Sequence, residues 1–300
     1  MTIRSIFLNP DESRLRAGWR IALFILVFAL ISWGLVAALF QIFSRDIGIR
    51  VPLAIPIVTA VGVLAAHWVM TRFVDRRPLA SVGLGFHNRT LLELAQGIVL
   101  GTAMMSVIFV VLTTAGMAEF QFKTLTTGEA AGMIGICVVE FTLVAWNEEL
   151  LFRGYLFQTL VEGTNRLIAV CAFALFFAFV HISNPNVTVF SLVNIALAGV
   201  WLSIAYFKTR GLWLPIGLHF SWNFFQNNVF SFPVSGLQKS ETQLGILRDT
   251  GPAWITGGSF GPEGGALATL VLLAGTLAIW YLPIFKISEH TWTGESHSHI

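Results

Sequence analysis

Apolar residues fill this chain in long unbroken stretches, without the spacing of a single helix face. Charge-free runs cover residues 21–44, 51–71, 94–118, 167–180 and 267–285. Several reach the ~20 residues that a helix needs to cross the hydrocarbon core of a bilayer. With the apolar segments between them they predict eight membrane helices, over 19–42, 51–71, 92–117, 131–162, 164–182, 186–207, 212–230 and 264–286. The fourth is too long for one simple span. Its second half, Glu148 to Glu162, mixes apolar and polar residues and is expected to pass beyond the membrane or bend along its surface. The predicted fold class is an all-α, polytopic membrane helical bundle of about eight transmembrane helices, one membrane domain over 1–300.

Composition agrees with this pattern. Of 300 residues, 55% are hydrophobic and 11% charged, and the mean hydropathy is +0.75. Soluble domains carry roughly 25% charged residues, so a water-soluble fold is excluded. The first apolar run starts after Arg20 with no small-residue cleavage site behind it, and reads as a retained helix. The net charge of +2 comes without a basic run, so nucleic acid is not an expected partner. Cys137 and Cys171 both lie inside apolar segments and read as two small buried hydrophobes, not as a disulfide framework.

Lys and Arg placement sets the expected orientation. With the N-terminus in the cytoplasm, only Arg45, Arg50, Lys123, Lys239 and Arg248 of the 18 basic residues fall outside. Both termini are therefore expected in the cytoplasm, including the tail 287–300. Residues 75–87 look like an interfacial piece on the same side. Residues 231–263 form an external loop whose regular glycines suggest an ordered cap.

Ionisable groups inside membrane helices are costly and usually functional. They occur here in three places. In Asn147-Glu148-Glu149-Leu150-Leu151-Phe152-Arg153, Glu149 and Arg153 are spaced i, i+4 and can pair. Glu148 points about 100° away, as the helical step dictates, and is left over for general-base work. His181 ends the apolar stretch before it. His219 and Asn223 share a helix face, which Asn227 extends, and such a polar stripe must face protein or a water-filled cavity. Each cluster alone has an ordinary explanation: a surface ion pair, a hydrogen-bonded core histidine, or contacts between helices. Depth brings them together. Counted from Gly163, Glu148 and His181 come to nearly the same level, and His219 enters from the same side.

At these residues the chain resembles a known family, the type II CAAX prenyl proteases and their bacterial relatives, the CPBP or ABI family. The family's three motifs read here as Glu148-Glu149-x-x-x-Arg153, Phe177-x-x-x-His181 and His219-x-x-x-Asn223, in order and without departure. The match spans roughly 90–230, the expected catalytic core. The resemblance implies an intramembrane endopeptidase acting on a membrane-associated protein or peptide in the bilayer of a bacterial inner membrane. It implies that Glu148 activates a water with help from His181, that His219 and Asn223 hold the oxyanion, and that Glu149 and Arg153 hold the site together. Many members are labelled metalloproteases, and a Glu with two His could bind zinc. No His-Glu-x-x-His is present, and no cofactor is required by this reading. Two other classes compete: a catalytically silent scaffold or bacteriocin immunity protein of the same fold, and a transporter with a Glu–His proton relay, against which the lack of an internal repeat counts.

Overall fold

The computed structural model describes residues 6–9, 14–43, 51–238 and 240–287. Each of the eight expected spans is helical. Helix α1 covers Ala17–Phe43, α2 Val51–Val69, α3 Thr90–Thr114, α4 Thr127–Arg153, α5 Tyr155–Gly163, α6 Arg166–Val180, α7 Val189–Thr209, α8 Trp213–Phe224 and α9 Ala266–Tyr281. A π-helical turn extends α2 through Val74 and another extends α8 through Val229. Among the described residues, five helical stretches are long and apolar enough to cross a membrane: Ala17–Leu39, Leu53–Val74, Thr90–Thr114, Thr127–Gly163 and Val189–Thr209. Helices α6 and α9 are apolar but shorter. Large apolar side chains such as Trp33, Val99, Leu175 and Leu270 point outward, as the outer surface of a membrane bundle requires. Cys137 is buried as expected, whereas Cys171 lies exposed on α6. Exposure is no penalty to an apolar side chain where the solvent is lipid.

The long fourth span breaks at Gly154, whose backbone (φ −77°, ψ −135°) leaves the helical region. A Cβ there would run into the Leu150 carbonyl and the His67 ring. His67, fully buried on α2, repairs the break. Its Nδ1 lies 2.7 Å from the Val63 carbonyl, and its Nε2 accepts the Tyr155 N–H at 3.1 Å, the first donor of α5. Chain ends elsewhere are fixed by side chains: Thr126 and Glu129 form a capping box on α4, and Asn165 caps α6.

Two glycines set the position of α8. Gly97 and Gly101 on α3 form a Gly-x-x-x-Gly pair facing it. A Cβ on Gly97 would stand 2.7 Å from the Leu218 N, and one on Gly101 2.8 Å from the Leu218 carbonyl. Small residues let membrane helices touch backbone to backbone, and here they seat the helix that carries His219 and Asn223.

Near the basic end of α1, Arg20 reaches Glu162 on α5 at 2.7 Å and Asp75 after α2 at 3.3 Å, while Arg77 joins Asp75 at 3.4 Å. All four side chains are largely buried. The 75–87 segment also packs inward, with Val82 fully buried and its carbonyl bonded by Gln158.

The sequence pattern did not reveal a two-stranded antiparallel sheet. Strand β1 (Ala118–Phe122) follows α3, and β2 (Gly245–Asp249) lies in the 231–263 loop, with Glu119 opposite Arg248. The loop around it is folded. Gly257 (φ +89°) and Gly261 (φ +95°) hold left-handed turns, and a Cβ on Gly261 would meet the Pro233 carbonyl.

Candidate active site

Helix α4 carries the acidic pair, α6 ends at His181, and α8 carries His219 and Asn223. Glu148, His181, His219 and Asn223 all line one cavity of about 320 Å³. Its walls are otherwise largely apolar, with Phe141, Phe177, Trp201 and Trp222 among them. Glu149 and Arg153 do not line it. They form the i, i+4 pair that the spacing predicts, with Arg153 Nη1 donating to Glu149 Oε1 at 3.0 Å. Arg153 also donates to the Gly199 carbonyl on α7 at 3.0 Å and lies over the Phe177 ring at 4.9 Å. Both side chains are almost fully buried.

The spacing did not show that a third group joins this pair. His219 Nδ1 lies 2.8 Å from the same Glu149 oxygen. An ionised carboxylate only accepts, so Nδ1 carries the proton. The Nε2 then faces Glu148, 3.8 Å from its Oε2. That is too long for a direct hydrogen bond. Glu148 keeps 28% of its side chain exposed, yet Oε2 is shut away from solvent and has no hydrogen-bond partner among the described residues. His181 has its Nδ1 2.7 Å from the Phe177 carbonyl, one turn back. With that nitrogen donating, Nε2 is the atom free for chemistry.

Among the described residues, no group of three His, Cys, Asp or Glu side chains is arranged to hold a metal. Nδ1 of His219 is committed to Glu149, and the Glu149 carboxylate is committed to Arg153. No three-ligand zinc site is assembled among the described residues, and no step through a metal is derived.

Sequence reasoning passed over one carboxylate. Glu263, 7% exposed, lines the same cavity from the loop after β2. Its Oε2 accepts the Ser235 N–H at 2.6 Å and the Ser235 hydroxyl at 3.1 Å, and its Oε1 accepts the Trp222 indole N–H at 3.4 Å. Burial raises its pKa above the ordinary carboxylate value, against the lowering effect of the Ser235 bonds. A signal was present: Glu263 is the only charged residue between Asp249 and Lys286.

The family model of type II CAAX prenyl endopeptidases, Rce1-like, matches residues 130–225. Over this stretch the chain is similar to the Rce1-like family. The matched stretch runs from α4 through α8 and so contains all six predicted site residues. A CAAX-type membrane endopeptidase is the general activity the family carries. Comparison with curated proteins and with solved structures finds no match for the chain.

Proposed function

We propose that this protein is an intramembrane endopeptidase in which Glu148 is the general base. Glu148 takes a proton from a water molecule, and the oxygen attacks the carbonyl carbon of a peptide bond. His219, when its ring holds both protons, and Asn223 donate hydrogen bonds to the oxyanion that forms. Such a donor is often worth ~3 kcal/mol. Collapse of the intermediate breaks the C–N bond, and the proton held by Glu148 passes to the leaving amine. His181 assists at the water through Nε2. Glu149 and Arg153 work from behind, fixing the His219 ring. The observation that carries this reading is the Glu148 Oε2, sealed from solvent and unpartnered, 3.8 Å from His219 Nε2 in a cavity shared with His181 and Asn223.

The substrate on this reading is a membrane-associated protein or peptide reaching the site from the cytoplasm or the inner leaflet. The test is purified full-length protein with a quenched peptide library. Cleavage that disappears with Glu148→Ala supports the reading. A library left intact by the wild type favours the silent scaffold.

A further inference from the structure

Phe177 opens the Phe-x-x-x-His segment at the end of α6, and the proposed chemistry gives its ring no task. The residue is 3% exposed, and three other helices meet it. Helix α4 reaches the ring through Arg153, whose guanidinium carbon lies 4.9 Å from the centroid, and through Phe152, edge-on at 4.9 Å. Helix α7 comes close at Gly199, where a Cβ would stand 3.5 Å from the Phe177 Cβ. Helix α8 reaches it through His219, whose ring lies at 85° to it with centroids 6.3 Å apart. One aromatic side chain therefore touches both the cation and the imidazole that share a single Glu149 oxygen. The Arg153 side chain is 1% exposed. Its Nη1 donates to Glu149 and its Nη2 to the Gly199 carbonyl, while Nε has no hydrogen-bond partner among the described residues. A charge removed from water needs close compensation, and here the one paired carboxylate is shared with His219. The face of an aromatic ring is negative and attracts a cation above it, most strongly where water is excluded.

We propose that Phe177 is a positioning residue: its ring face holds the Arg153 guanidinium, and through the shared Glu149 oxygen this keeps His219 turned with Nε2 toward Glu148. The inference rests on the proteolytic reading above for the task of His219, while the contact itself is measurable without turnover. The chain of contacts is short. Arg153 lies over the ring, Arg153 Nη1 and His219 Nδ1 meet at Glu149 Oε1, and His219 Nε2 then stands 3.8 Å from Glu148 Oε2. A guanidinium no longer held by the ring face draws Glu149 with it, and the carboxylate then loses its fixed position against Nδ1. The imidazole is left free to exchange tautomer or turn, and the oxyanion loses an aligned donor. An aliphatic side chain of similar bulk would fill the space without supplying the negative face.

Ring fluorination tests the face while nearly keeping the shape, so the variants should fold. Full-length protein in detergent carries phenylalanine with one, two or three ring fluorines in place of Phe177, and each fluorine withdraws charge from the face. On a quenched peptide that the wild type cleaves, kcat is expected to fall with each fluorine, by about tenfold over the series, the order of one desolvated cation–π contact. KM should stay constant. The share of molecules with His219 protonated at Nδ1, read from its nitrogen NMR signal and assigned by the loss of that signal in His219→Gln, should fall in the same order. The same series at Phe173, one turn back on α6 and edge-on to the Phe157 ring, should move neither readout. Constant kcat or a constant His219 signal across the Phe177 series overturns the proposal, and so does an equal response at Phe173. A His219 signal that follows fluorination in a protein that cleaves no peptide supports the hold on Arg153 and sinks the proteolytic reading alone.

Discussion

Nδ1 of His219 sits 2.8 Å from Oε1 of Glu149, the oxygen that Arg153 also holds at 3.0 Å. One buried oxygen thus fixes both the ion pair of α4 and the ring orientation of α8. The two neighbouring glutamates have different tasks as a result, one structural and one facing the cavity.

Arg153→Ala leaves the Glu149 charge buried with one partner fewer. Breaking a buried pair this way costs about 3–5 kcal/mol. The variant should show lower yield and a lower melting temperature, together with lost activity. A melting temperature equal to the wild type would show that the pair carries no structural load.

Glu148→Gln keeps the shape and removes the base. General acid–base groups contribute about 10²–10⁴-fold, so cleavage should fall by at least a hundredfold. Because Glu148 is partly exposed and makes no hydrogen bond through Oε2 among the described residues, the melting temperature should stay close to the wild type. Full activity in this variant would remove the proposed mechanism.

His219→Ala removes an oxyanion donor and also frees one of the bonds to Glu149. Activity should fall ~10²–10³-fold, the usual effect of losing one such donor. The melting temperature should fall by less than in Arg153→Ala, since the ion pair survives. An equal or larger loss of stability would place the main structural role in His219.

The membrane helices were legible in the sequence because lipid forces every span to be apolar along its whole length, and 20-residue runs cannot be confused with loops. The Glu149–Arg153 pair was legible because helical spacing alone puts the two on one face. Contacts set by tertiary packing were not. Nothing in the order of residues says that His219 on α8 bonds a carboxylate 70 positions earlier. β1 and β2 are five residues each and lie in separate connections, so neither shows a strand signal without its partner. Glu263 hid in a glycine-rich loop that pattern reading treats as connection. Gly97 and Gly101 did carry a signal, the Gly-x-x-x-Gly spacing of close helix contacts, and it marks where α8 is seated.

Gly97→Val tests that seat. A Cβ at this position would stand 2.7 Å from the Leu218 N and 3.0 Å from the Gly217 carbonyl carbon, both of them backbone atoms of α8 that no rotamer change can move. Valine adds two methyl groups to that conflict. Helix α8 must shift away from α3, and it carries His219 and Asn223 with it. A displacement of about 1 Å near reacting groups can cost ~10²-fold in rate. Activity should therefore fall by that order, although residue 97 does not line the cavity and performs no chemistry. The melting temperature should fall as well, since overpacking typically costs 1–3 kcal/mol. Gly97→Ala should show the same two effects in smaller measure. Wild-type activity and stability in Gly97→Val would mean that the close approach of α3 and α8 does not position the site.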